Sequence, residues 1–509
     1  MEIWIKVKWS IYIGLVISII SCKSESTPTP IPDDTPPENN SVWVDPIITN
    51  DNNQGLKVIV WFDDQLIQFN ETYLEKTANL TSGRSQLRNQ FVTELKGKNE
   101  MSMNSATVDL SALENEGLIE SIEPMWIVNG FTCIVNQGGI DGLMHVEGVH
   151  SIFRAQFSTA TLTEHGPRTV ATQSGDFIPS GNSTTTWNIA ALEAPRVWNE
   201  LGITGKGVKV IIHEAGLRLT VPAITESIYA NPLEIPDNQV DDDGNGYIDD
   251  VHGYNFEFDN PLINVGFLTS SGIIHGSSVT GIICGREVNG TLIGVAPNAK
   301  WAAVLALSNF AEAVQWAIEM DFDLYNMSFS LGNVQEVRSH WRLVVEHAAL
   351  CGIFMVSGAG NFGDPSRSGF LNIPGQTRTP ENIPEALFTV AGVGEELDYP
   401  AFSSKGPVLW DTHHYDEGEV NKPDFATFNL DVPTISESGS LSRNISGNSL
   451  ASPHLSGDIA LMLEANPELN VWQVRQILIN TVTDIEEDGF DVKTGFGLIN
   501  AYEAVKAVN

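Results

Sequence analysis

Five apolar segments decide the fold: VKVIIHEAG (208–216), AKWAAVLAL (299–307), FDLYNMSFS (322–330), GIFMVSGAG (352–360) and ALFTVAGVG (386–394). Each is short, rich in aliphatic or small residues, and too continuous to alternate between core and water. That is the pattern of a strand buried on both faces. Helical patterns follow several of them. Strands alternating with helices build a mostly parallel sheet covered on both sides, and such sheets place ligands beyond the carboxyl ends of their strands. The predicted class is α/β, with chemistry expected just after these segments.

Working outward, residues 51–156 read as a second, smaller α/β unit. GLKVIVWF (55–62) predicts a strand, and SGRSQLRNQFVTELKGK (82–98) a helix with Leu87, Phe91 and Leu95 on one face. An apolar run at 125–135, a helix at 140–146 and a strand at 149–153 complete a pattern that suggests a ferredoxin-like sandwich. The polar, Thr/Ser/Gly-rich stretch 157–185 reads as a cleavable linker. At the front, Lys6 and Lys8 precede an apolar run from Trp9 to Ile20, which is shorter than a span of about 20 residues and shaped like a signal peptide. KSESTPTPIPDDTPPENN (23–40) cannot bury a core and predicts an extended tether. The expected organisation is signal peptide 1–21, tether 22–50, small domain 51–156, linker 157–185 and main domain 186–509.

The 509 residues carry 27 Lys+Arg against 64 Asp+Glu, a net charge of −37. Phosphates would be repelled, which excludes a nucleic-acid binder. Four cysteines in so long a chain are no disulfide framework. Cys22 ends the sequence Ile19-Ile20-Ser21-Cys22, which resembles the lipobox of bacterial lipoproteins, and this implies a lipid on Cys22 and an exported protein held at the cell envelope, at the outer membrane or cell surface. Cys133, Cys284 and Cys351 then remain, and their apolar surroundings predict buried free thiols.

The segment richest in chemistry is SGNSLASPHLSGDIALML (446–463). A turn of small residues leads into an apolar helix, so Ser449 sits where free backbone N–H groups favour developing negative charge. Taken alone, such a serine is more often a helix cap than a nucleophile. Its neighbours change the reading: G-N-S-L-A-S-P-H resembles the G-T-S-M-A-S-P-H signature of the subtilisin-like serine proteases, the subtilases. HGSSVTGIICG (275–285) resembles that family's histidine helix, with Ser278 replacing its second histidine. VSGAGNFG (356–363) resembles its oxyanion-asparagine motif.

The resemblance implies Ser449 as nucleophile, His275 as general base and Asn361 as oxyanion donor. It also implies a substrate cleft at Ser328, Phe329, Ser330 and Gly358. At the family's triad aspartate this chain has Glu214, a carboxylate one methylene longer. The small domain resembles the family's inhibitory propeptide. Protein or peptide substrates and an intramolecular inhibitor are the implied partners, with a membrane contact through the lipid. Glu214, Ser278 and Phe329-Ser330 also motivate an alternative, a lipid-anchored pseudoprotease that binds without hydrolysing; an acyl transferase or peptide ligase would share the site.

Between Glu214 and His275 lies DNQVDDDGNGYIDDVHGYNF (237–256). Asp241, Asp243, Asn245 and Gly246 reproduce the start of an EF-hand-type calcium loop, with the Tyr247 carbonyl available. His252 stands at position twelve, so Asp250 would close the site. The plainer reading is an acidic solvated turn, but so many carboxylates repel one another without a cation. Structural Ca2+ is the expected cofactor.

Overall fold

The computed structural model describes residues 42–48, 55–69, 71–155, 184–215, 217–266, 275–331, 334–364, 379–436 and 439–508, with isolated positions between them. Cys22, most of the signal peptide and most of the linker lie outside these residues. The main sheet has seven strands, in the order Gly253–Asn255, Lys300–Leu305, Lys209–His213, Leu324–Met327, Phe354–Gly358, Leu387–Val393, Phe425–Phe428. Every neighbouring pair is parallel. The five predicted segments supply the middle five strands. Lys209–His213 lies between Lys300–Leu305 and Leu324–Met327, so the strand order reverses there. A reversal leaves a crevice at the strand ends.

Helices cover the sheet, as the unbroken apolar runs require. His275–Cys284 packs against Ala451–Ala465, and Phe310–Glu319 against Val337–Leu350. Ala451–Ala465 is buried from Ala451 to Leu463, so its polar side chains need internal partners. Ser452 Oγ meets Ser328 Oγ at 2.8 Å, and Ser456 Oγ donates to Asn326 Oδ1 at 2.9 Å. Cys133, Cys284 and Cys351 are buried free thiols, each pushed up to about 12 by burial.

The smaller domain follows a βαββαβ path: Leu56–Phe62, Arg84–Asn115, Ile119–Met125, Gly130–Val135, Gly139–Leu143 and Val149–Arg154. Its sheet order is Trp43–Val44, Val149–Arg154, Leu56–Phe62, Gly130–Val135, Ile119–Met125. The long helix runs 32 residues, well past Lys98. Strand alternation explains GLKVIVWF. Val58, Val60 and Phe62 face the domain's own core with Ala106 and Leu110, while Ile59 and Trp61 belong to the core shared with the main domain. An antiparallel strand reads as continuously apolar because a second domain covers its outer face.

Asp458 is the exception to polar pairing in the buried helix. Neither of its carboxyl oxygens has a hydrogen-bond partner, and burial pushes its pKa up to about 8. A carboxyl raised in the folded state and ordinary in the unfolded one costs stability increasingly as pH rises from about 4 toward 8. Asp458→Ala is therefore expected to raise Tm by several degrees at pH 8 and by clearly less at pH 5. Thermal melts at the two pH values check this, and an equal shift at both contradicts it.

Candidate active site

Glu214 follows the last residue of strand Lys209–His213, at the point where the strand order reverses. His275 opens helix His275–Cys284 directly beside it. Gly276 makes the approach possible: a Cβ there would lie 2.9 Å from the Ala215 carbonyl oxygen and 3.3 Å from Glu214 Cβ. Gly276 N–H also donates to that carbonyl at 3.1 Å. The two side chains meet with His275 Nδ1 2.8 Å from Glu214 Oε2, both buried. A carboxylate only accepts, so Nδ1 carries the proton and Nε2 is left as the basic atom. Nε2 is buried with no hydrogen-bond partner. Burial pulls the His275 pKa down, but the Glu214 charge and hydrogen bond outweigh it, and the net direction is up.

Neighbouring His213 points elsewhere. Its Nε2 accepts from Ala306 N–H at 3.2 Å, its Nδ1 lies 3.0 Å from the Tyr325 hydroxyl, and burial pushes its pKa down to about 3.

Ser449 sits in the 3-10 turn Asn448–Leu450 that runs into helix Ala451–Ala465. Strand Phe354–Gly358 comes against this turn only because Gly358 has no side chain, for a Cβ there would lie 2.3 Å from the Asn448 carbonyl oxygen. Helix His275–Cys284 packs on the same turn. The Ser449 hydroxyl makes no hydrogen bond to His275; such contacts are often long in ligand-free sites and tighten on binding. Asn361 Oδ1 accepts from Asn448 N–H at 2.8 Å, which leaves the NH2 end of the amide to donate elsewhere. Asn361 therefore touches the same turn that carries Ser449.

The remaining cleft residues divide by what their side chains touch. Ser328 is buried and bonded to Asn326 and Ser452. Phe329 packs its ring 4.7 Å from His213. Ser330 Oγ donates to Glu381. Asn448 and His454, inside the serine motif, fix the turn through partners that carried no sequence signal, Asn429, Ser403 and Asn188. Asn448 Nδ2 donates to Gly360 O and Ser403 Oγ, while Asn429 Nδ2 donates to Asn448 Oδ1 at 2.7 Å. His454 Nδ1 binds Leu450 O, and its Nε2 lies 2.7 Å from Asn188 Nδ2. Isolated asparagines are common in loops, so only the fold reveals these roles.

In the acidic loop, Glu234, Asp243 and Asp250 offer carboxylate oxygens within 4.8 Å of one another. Glu234 carries no sequence signal because it lies before the loop motif. Its Oε1 accepts from Asp242 and Asp243 N–H, whereas Oε2 is buried without a partner. Asn245 donates to both Asp243 and Asp250. Asp241 directs its oxygens to the N–H groups of Gly244, Asn245 and Gly246, and the Tyr247 ring meets Tyr254 and Phe256 edge-on.

The profile of the subtilase family matches residues 205–497, more than half of the chain, a range that includes Glu214, His275, Asn361 and Ser449. The chain belongs to the subtilase family. Bacillopeptidase F of Bacillus subtilis (strain 168) is 27% identical over 463 residues, covering 85% of this chain and 30% of the relative. Fervidolysin of Fervidobacterium pennivorans is 26% identical over 273 residues, covering 50% of this chain and 38% of the relative. Subtilisin BL of Lederbergia lenta is 25% identical over 331 residues, 63% of this chain and 98% of that protein. This subtilase spans only about a third of the length of bacillopeptidase F.

Proposed function

We propose that this subtilase is a serine endopeptidase with a Ser449–His275–Glu214 triad. The observation that carries the reading is the 2.8 Å contact between Glu214 Oε2 and His275 Nδ1. Ser449 Oγ attacks a peptide carbonyl as His275 Nε2 takes its proton, and the imidazolium is stabilised by Glu214. The Asn361 NH2 and the Ser449 N–H receive the oxyanion. His275 then protonates the leaving amine, and water repeats the sequence on the acyl-enzyme. The extra methylene of Glu214 is compatible with this geometry because Gly276 lets the helix start lie close to its Cβ. Ser328 and Phe329 direct their side chains inward, so the cleft strand would hold substrate through its backbone. Ser278 Oγ donates to Ile435 O at 3.3 Å and Phe329 lies in the core, which favours hydrolysis over the pseudoprotease reading: both substitutions are accommodated away from His275.

Glu214→Gln is expected to lower kcat/KM by about 10^3–10^4-fold. In the unmutated enzyme the acid limb of the kcat/KM profile should lie above the ordinary histidine value of about 6.5, following the net upward direction at His275. Fluorophosphonate labelling of Ser449 tests the reading directly. An unlabelled, calcium-loaded protein free of its smaller domain would refute it.

We further propose that Glu234, Asp243 and Asp250 hold a structural Ca2+. An all-oxygen set with a buried, unpartnered Glu234 oxygen suits that hard cation, which would offset the repulsion between the carboxylates. Calcium should raise Tm by several degrees and a chelator reverse it, while Glu234→Gln should abolish most of the gain. A melt indifferent to calcium would rule the assignment out.

The smaller domain is proposed as an inhibitory propeptide, and Cys22 as a lipid anchor at the cell envelope. Its core, continuous with that of the main domain, supports the first proposal; the lipobox resemblance supports the second. Ser449→Ala is expected to accumulate as an unprocessed, membrane-bound chain, read by N-terminal mass spectrometry. Normal processing of that variant would exclude self-cleavage.

A further inference from the structure

The contact between the two domains is lined with histidines. Helix Val337–Leu350 of the main domain presents His340 and His347, two turns apart and both buried. The indole N–H of Trp61, from the smaller domain, reaches His340 Nδ1 at 3.1 Å. Indole nitrogen can only donate, so Nδ1 must be unprotonated. The backbone N–H of Ile67 reaches His347 Nε2 at 3.2 Å, while His347 Nδ1 binds the Ile127 carbonyl. A backbone N–H also only donates, so Nε2 is bare and the single proton sits on Nδ1. Each histidine therefore accepts a hydrogen bond across the domain boundary that its protonated form cannot accept.

Around this pair the same seam holds three more. His150 Nδ1 and His414 Nε2 both contact Ser151 Oγ, at 2.6 and 2.7 Å. His413 stacks on Trp43 and lies 5.0 Å from His414 between ring centroids. Trp43, Trp61, Phe69 and Phe153 enclose the rings. Their nitrogens do not form a metal site: the one convergent group of three ligand side chains among the described residues is the acidic set above.

We propose that this seam is a proton-operated latch: the smaller domain is retained while His340 and His347 are neutral, and acidification releases it by protonating the two acceptors. This rests on the reading of that domain as a removable inhibitor. Burial pushes His340 down to about 3 and His347 down to about 4 in the closed state. Lys76 and Lys98 face His347 and oppose a charge there. Burial likewise lowers His150, His413 and His414; Asp63 favours charge on His150, and the neighbouring histidines oppose it. Glu336 accepts from His413 N–H, and Arg342 is paired with Glu346 on the helix itself. Lys98 is paired with Asp64.

The sign follows from the depressed values. Separation exposes the rings and returns them toward about 6.5, so the open state binds more protons. Retention is complete above that value and weakens as pH falls below it. The two acceptors alone make the separation constant rise about 1000-fold between pH 7.5 and 5.0, roughly 30-fold each, and His150, His413 and His414 add to the rise in the same direction.

The test uses the full chain carrying Ser449→Ala and a specific cleavage site placed between residues 165 and 176. After nicking, domain separation is followed by size-exclusion chromatography across pH. The expected result is retention at pH 7.5, separation at pH 5.0, and loss of about 100-fold or more of that dependence in His340→Gln/His347→Gln, whose amides accept hydrogen bonds but do not titrate. A change below tenfold in the unmutated seam, or an undiminished dependence in the double variant, overturns the latch. Should that variant misfold, proton uptake on separation is measured with the histidines intact, by dilution calorimetry in two buffers of different ionisation enthalpy at pH 5.5. Uptake of about two protons or more supports the latch, since His150, His413 and His414 can only add to the two acceptors, and anything clearly less overturns it. Because Ser449→Ala is used throughout, failure of the protease reading leaves these outcomes unchanged and is detected separately by labelling the Ser449 protein.

Discussion

The site depends on backbone approaching backbone at the carboxyl edge of a parallel sheet. Two glycines permit it. Gly276 lets the histidine helix begin against Ala215, and Gly358 lets a strand end touch the turn before Ser449. A Cβ at either position would crowd a backbone carbonyl, slightly at Gly276 and severely at Gly358, and force the elements that carry His275 and Ser449 apart; in an active site, misplacement by about 1 Å can cost about a hundredfold in rate. The sheet thus acts as a template. Its strand ends lie side by side, and helix starts are brought to them, so Glu214, His275, Asn361 and Ser449 converge although far apart in sequence.

Behind the turn, polar groups replace the apolar packing used elsewhere. Asn326, Ser328, Ser452 and Ser456 bond to one another beneath helix Ala451–Ala465, and Asn429, Asn448 and Ser403 bond beneath the turn. The first network pairs both ends of the Asn326 amide, and a satisfied buried network specifies one arrangement because every alternative leaves a donor or acceptor unpaired; in the second, Asn429 is held through its Nδ2 while its Oδ1 has no partner. The turn also holds Asn361 by its oxygen, so the amide nitrogen is the end presented. Asp458, on the same helix, shows the contrast: its oxygens have no such partners.

Much of this is legible in the sequence because burial on both faces leaves a plain mark. The five central strands are continuous apolar runs, and His275, Asn361 and Ser449 sit in short motifs with distinctive neighbours. The helix that begins at Arg84 is read too short, since beyond Lys98 its apolar spacing thins to Ala106 and Leu110 under the domain's own sheet. Buried Asn99 replaces an apolar residue there and bonds to the Gly130 carbonyl. Glu234 is invisible because a carboxylate outside a motif has no period or spacing to betray it. The same holds for Asn429 and Asn188, whose partners lie far along the chain.

Two kinds of contact join the domains, and they answer to different variables. Along the long helix, Arg84 pairs with Asp323, Arg88 with Asp321 and Lys96 with Glu319. From strand Leu56–Phe62, Lys57 reaches Glu312 of helix Phe310–Glu319 at 3.5 Å. These bring basic groups of the smaller domain onto acidic groups of the main one, which gives part of the net −37 a structural role. Their attraction falls with salt, most steeply for exposed partners such as Asp321. The histidine seam carries no charge while it is closed, so salt hardly reaches it, whereas protons do. A boundary built only of ion pairs would loosen with ionic strength, and one built only of apolar surface would respond to neither variable. Combining ion pairs with neutral histidines lets steering and retention be set by separate groups on one surface.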